Sequence, residues 1–138
     1  MALTSNPEGA QVQDAVATTG KTIAQSVVDA VGRRNAGRHP IGDFGVVVGV
    51  TAPVGTLRLG ELNGPILAPG VGAQGASLAE VPQVFGAAAP HVVVTMSRAL
   101  LRHGPDPNSL RYATRRIAHQ TISVIKLVRS RSAGVPPG

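Results

Sequence analysis

The apolar run Ile66-Leu67-Ala68 stops at Pro69-Gly70-Val71-Gly72-Ala73-Gln74-Gly75, and this junction constrains the fold more than any other stretch. Glycine lacks a Cβ, so Gly70, Gly72 and Gly75 let the backbone take φ > 0 and bring N–H groups close to a ligand. Successive N–H groups of that kind form a concave anion site that commonly takes phosphate. Gln74 stands among them with an amide that donates and accepts at once. Further along, the β-branched run His91-Val92-Val93-Val94-Thr95 ends at Met96-Ser97-Arg98 and turns helical. Each strand-like run therefore delivers phosphate-binding chemistry at its end, a glycine loop in one case and an arginine in the other. The planar fork of arginine can hold two phosphate oxygens.

Two successive βα units with phosphate chemistry at their strand ends point to a (β/α)8 barrel, where the loops after strands 7 and 8 frequently hold phosphate. A complete barrel takes roughly 250 residues, and this chain has 138. The expected fold class is thus α/β, the C-terminal half of a TIM barrel, with about four βα units and a parallel sheet. Ala2-Leu3-Thr4-Ser5 reads as the end of a first strand with no room for its beginning. A helix is expected from Thr19 or Gly20 to Asn35, with Ile23, Val27, Val28 and Val31 on its inner side. Residues 45–51 are mostly valine, which suits a strand buried on both faces. Pro53, Gly55 and Gly60 leave room for only a short helix over 56–62. A strand over 65–68 and a helix over 77–85, kinked or shortened at Pro82, come next. A strand over 91–95 and a short helix over 97–103 follow. Asp106 then reads as an N-cap with Pro107 at the first helical position. That last helix is expected to reach Arg129, burying Leu110, Ala113, Ile117, Val124 and Val128. Residues 1–129 form the expected half-barrel, and residues 130–138 a disordered basic tail.

Order and spacing of these segments resemble orotidine 5′-phosphate decarboxylase, in its longer bacterial subfamily. The resemblance is carried by Leu3-Thr4-Ser5-Asn6-Pro7-Glu8-Gly9, by Ala68 to Gly75, and by Ser97-Arg98 with Leu101-Arg102-His103-Gly104-Pro105. Gly45-Val46-Val47-Val48-Gly49-Val50-Thr51 looks like the family's sixth strand. The resemblance implies conversion of orotidine monophosphate to uridine monophosphate (UMP) and carbon dioxide, with no cofactor. It further implies that backbone N–H groups around Gly72 and Gly75, with Gln74 and Arg98, hold the substrate phosphate. Ser5 and Gln74 match the family's contacts to the pyrimidine. Each residue has a plainer reading: Ser5 as a turn cap before Pro7, Gln74 as an exposed loop residue, Arg98 as half of a surface ion pair.

The chemistry itself has no bearer here. A ring carbanion needs a cation that stabilises it and then gives it a proton, and in the family this is a lysine among aspartates in the N-terminal half. The two lysines of this chain, Lys21 and Lys126, fall at a helix start and deep in the last helix, and the family's Asp-x-Lys-x-x-Asp pattern is absent. No catalytic residue is assigned, and the isolated chain is expected to be inactive. His39, His91, His103 and His119 are scattered without metal-ligand spacing. Gly70, Gly72 and Gly75 also fit a dinucleotide-binding string, but no acidic residue follows at the distance needed to hold a ribose.

The net charge of +6 raises the alternative of a basic nucleic-acid module built on the last helix and tail. Aromatics make up 2% of the chain, so bases would find almost nothing to stack on. The expected partners are orotidine or uridine 5′-monophosphate, together with a second copy of the chain or an N-terminal half-barrel in trans. A catalytically inactive, self-associating half-barrel that binds phosphate is the second alternative. There is no cysteine, no run long enough to span a membrane and no signal-peptide pattern, so the cytoplasm is the expected compartment.

Overall fold

The structure, a computed structural model, describes residues 4, 6–51, 55–72 and 75–132. The expected first strand falls almost wholly outside them. Chain order is α1 (Ala10–Gln13), α2 (Ile23–Asn35), β1 (Val46–Val47), β2 (Ile66–Ala68), α3 (Val81–Phe85), β3 (Val92–Val94), α4 (Arg98–Leu101) and α5 (Pro107–Ser132), with 3-10 turns at Pro7–Gly9, Leu78–Glu80 and Gly86–His91. The three strands form one parallel sheet in the order β1-β2-β3. Strands alternating with helices in a parallel sheet are the half-barrel arrangement expected from the sequence.

Helix α2 starts later than Thr19 or Gly20. Residues 17–21 are tied in a tight turn, with the Ala17 N–H donating to Lys21 and the Ile23 N–H to Ala15. Thr22 is therefore the first residue free to cap, and its hydroxyl accepts from the Gln25 N–H at 3.1 Å. The buried face is Ala24, Gln25, Val28, Gly32 and Asn35. Ile23, expected inside, is 37% exposed.

The sheet has one covered face and one open one. Val46, Val48, Val50, Ile66, Ala68 and Val92 join Ala24 and Val28 of α2 and Val81 and Phe85 of α3 in the core. Val47, Leu67 and Val93 share a register row across all three strands and point the other way. Leu67 is 42% and Val93 54% exposed. This corrects the expectation of a strand over 45–51 buried on both faces. The ladder proper is shorter than 45–51, although the Val48 and Val50 N–H groups continue it to Leu67 and Pro69.

No helix forms over 56–62 among the described residues. The crossover runs down α2 as turns, pinned by the Gln25 amide, which accepts from the Arg58 N–H at 2.8 Å and donates to its carbonyl at 3.2 Å. Leu59 and Leu62 are buried beneath it, and the Leu62 N–H closes a turn on the Leu59 carbonyl at 3.1 Å. The expected helix over 77–85 is split into the Leu78–Glu80 turn and α3. Pro82 lies in the first turn of α3, where its missing N–H has no bond to break, and does not kink the helix.

Helix α5 opens as the sequence predicts, with the Asp106 carboxylate accepting from the Ser109 N–H at 2.7 Å. It continues to Ser132 instead of ending at Arg129, so residues 130–132, expected in a disordered tail, are helical. Ala113 is buried, while Leu110, Ile117, Val124 and Val128 are half-buried.

Candidate functional site

The sheet delivers two turns side by side at the C-terminal ends of its strands. After β2, the chain closes a tight loop. Val71 and Ala76 form a parallel bridge, and the Gly72 N–H donates to the Ala76 carbonyl at 2.7 Å. Gly72 has φ +79°, which a side chain would strain. The loop's exit is anchored by a capping box, in which the Ser77 N–H donates to the Glu80 carboxylate at 2.7 Å. The Ser77-x-x-Glu80 pattern is itself a recognisable signal that the sequence reading passed over.

The loop spends part of its donor capacity on itself. The Gly72 N–H is engaged at full strength, whereas the Gly75 N–H reaches the Gly72 carbonyl only at 3.4 Å. That length lies beyond the usual hydrogen-bond range. Gly75 is thus the readier donor of the two toward an incoming anion.

After β3, the Thr95 N–H donates to the Ala68 carbonyl at 3.1 Å, holding the two strand ends level. Arg98 opens α4 immediately beyond Ser97 and is exposed. Among the described residues the ion pair found is Lys21–Asp29, so the reading of Arg98 as half of a surface pair finds no carboxylate. Its neighbour Ala99 is buried and packs directly on the glycine loop. A Cβ built on Gly72 would stand 2.8 Å from the Ala99 Cβ. The structure therefore brings Gly72, Gly75 and Arg98 to one end of the sheet. Ser5 and Gln74 lie outside the described residues. Ala99, which joins the two turns, has no signal in the sequence beyond its small size.

Neither lysine is at this end. Lys21 is held by Asp29 at 2.5 Å, and that bond, seconded by one from Gln25, lowers the Asp29 pKa below the ordinary carboxylate value. Both line a cleft of about 870 Å³ between α2 and the crossover, together with Arg33, Arg58 and Glu61. Lys126 is exposed on α5. A second cleft, of about 660 Å³, lies behind the glycine loop, between Val71, Gly72 and Ser77 and the α5 residues His119, Gln120 and Ser123. No group of His, Asp or Glu among the described residues is arranged to hold a metal ion. No described helix is long and apolar enough to cross a membrane.

No protein-family model matches the chain. Its curated relatives are nonetheless close. It is 50% identical over 119 residues to an orotidine 5′-phosphate decarboxylase of Streptomyces coelicolor, covering 86% of this chain and 42% of that protein. It is 50% identical over 117 residues to the Salinispora tropica orotidine 5′-phosphate decarboxylase, with 85% and 42% covered. A crystal structure of a Streptomyces avermitilis protein assigned to the same activity superposes with a TM-score of 0.85 at 48% identity, over 91% of this chain and 44% of that one. The chain thus spans less than half the length of the proteins it resembles.

Proposed function

We propose, from the premise that this chain matches the C-terminal half of the orotidine 5′-phosphate decarboxylases, that it is the phosphate-holding half of such an enzyme's site. One observation carries the reading. Arg98, with no carboxylate partner among the described residues, follows a strand whose end is bonded to the end of the strand that opens the glycine loop. In this reading the Arg98 guanidinium takes two phosphate oxygens of a nucleoside monophosphate. Gly75 contributes an N–H, Gly72 the curvature, and Gln74 a side chain that reaches phosphate and pyrimidine. Ser5 meets the pyrimidine.

The reaction of the whole enzyme is loss of carbon dioxide from orotidine monophosphate to give UMP, the last step of pyrimidine nucleotide synthesis. This half binds and orients. The cation that stabilises the ring carbanion and returns a proton to it belongs to four further βα units. Those units, or a second copy of this chain, would cover the open row Val47, Leu67 and Val93. The cytoplasm is the proposed compartment, since the substrate is a nucleotide intermediate.

Calorimetric titration of UMP into the purified chain tests this reading. Saturable binding is expected, and Arg98→Ala should weaken it by at least about 10- to 100-fold, because even one charged hydrogen bond contributes roughly 1.5–3 kcal/mol. Equal affinity in the variant and the parent would overturn the assignment. The isolated chain should show no turnover of orotidine monophosphate.

A further inference from the structure

We infer that Ala99 is a positioning residue: by seating α4 directly on Gly72 it sets where Arg98 stands relative to the glycine loop. The inference rests on the phosphate reading above, and it concerns a residue that touches no ligand.

The two turns that would share one phosphate come from different strands, and the hydrogen bond from Thr95 to Ala68 fixes only the strand ends. Beyond those ends, something must hold Arg98 at a defined distance from the loop, because a bidentate grip on an anion tolerates little drift. The contact that does this is between two of the smallest side chains available. Gly72 presents bare backbone at φ +79°, and a Cβ there would come within 2.8 Å of the Ala99 Cβ. On the other side, Ala99 is 9% exposed, so little of it faces solvent.

The chain also holds each partner from behind. The Leu101 N–H donates to the Ser97 carbonyl at 2.9 Å and the Arg102 N–H to the Arg98 carbonyl at 3.2 Å, so α4 moves as one turn. The Gly72 N–H donates to the Ala76 carbonyl at 2.7 Å, which ties Gly72 in place. Added bulk at position 99 must therefore be relieved by α4 backing away, and Arg98 travels with it.

The test is a double-substitution cycle on UMP affinity, followed by NMR shifts so that weak binding is still read. The parent, Arg98→Ala, Ala99→Val and the pair together are compared. Ala99→Val is expected to weaken UMP about tenfold in the parent and to cause no further loss once Arg98 is gone, since its effect runs through that side chain. A merely structural role would add its loss in both backgrounds, and that result would overturn the inference. So would unchanged UMP affinity in Ala99→Val. Ala99→Gly, which removes the contact and loosens α4, should also weaken UMP, and only while Arg98 is present. If Ala99→Val loses its cooperative melt, the smaller step Ala99→Ser decides, with a two- to threefold loss expected (roughly half of a tenfold change in free energy) and no loss counting against the idea. Absence of any UMP binding by the folded parent would bring down the phosphate reading and this inference together, whereas binding that needs Arg98 but ignores position 99 would bring down this inference alone.

Discussion

Asn35 is fully buried, a polar side chain at the end of α2, and its amide knits three segments together. It donates to the carbonyls of Phe44 at 2.8 Å and Leu62 at 2.9 Å, and it accepts from the Phe44 N–H at 3.1 Å. Gly64 and Gly42 leave the space it fills, since a Cβ on either would overlap its side chain. Asn35→Ala would strand the buried Leu62 carbonyl, at about 1–3 kcal/mol when unpaired, and leave the part-buried Phe44 N–H and carbonyl to water. The expected loss is about 1–3 kcal/mol, to be read from the urea midpoint at unchanged slope. Asn35→Asp should cost as much, because a carboxylate cannot donate to the two carbonyls. A loss under about 1 kcal/mol would mean that water replaces the amide. This network was not legible in the sequence. The apolar period of α2 pointed to Ile23, Val27, Val28 and Val31, whereas the inner face includes Gln25 and Asn35, whose burial depends on backbone groups of distant segments. The glycines after β2 and Arg98, by contrast, stood out because their chemistry is local to each turn.

Helix α5 was legible at its start for the same reason. Asp106 and Pro107 are a local signal, and the carboxylate does cap the first turn. The bond from the Ser109 N–H lowers the Asp106 pKa below its usual 3.8. A group whose pKa is lowered on folding adds stability above its unfolded value and gives it up as pH falls through the folded one. The cap's contribution is therefore complete near neutrality and disappears on acidification below about pH 4. Asp106→Asn keeps an accepting oxygen that does not titrate. The difference in melting temperature between the parent and Asp106→Asn, followed by helical circular dichroism, should shrink or reverse between pH 6 and pH 3. A difference that stays constant across that range would show that the carboxylate's charge plays no part. The crossover over 56–62 illustrates the opposite case. Glycine and proline spacing warned that a helix there would be poor, yet what stands in its place is decided by Gln25, far away in sequence. Local breakers foretell the absence of an element better than the shape of its substitute.

At the scale of the whole molecule, the open face of the sheet decides what the chain can do. Val47, Leu67 and Val93 form one apolar row facing away from α2 and α3, and β3, an edge among the described residues, has a groove beside it lined by Val93, Leu100, Ile117 and Ile122. A parallel sheet is seldom left bare on one face, and apolar surface on an edge strand is a template for association. Covering Leu67 and Val93, which are 42% and 54% exposed, would contribute about 1 kcal/mol each from side-chain burial alone. Two occupants answer to this geometry, a second copy and four more βα units, and they differ in what they add. A second copy buries the row but brings no lysine to the strand ends, because both lysines stand elsewhere. Units from the other half of a relative would bury the row and supply the cation. Mixing the chain with the N-terminal half of the Streptomyces coelicolor enzyme should therefore yield decarboxylation of orotidine monophosphate that neither part shows alone. Val93→Lys should abolish it by placing a charge on the buried face, while leaving the loop and Arg98 intact. In sedimentation, the chain by itself should grow in size with concentration, and Leu67→Lys with Val93→Lys should return it to a monomer. A parent that remains monomeric at all concentrations and gains no activity on mixing would mean that the open row is not a docking face.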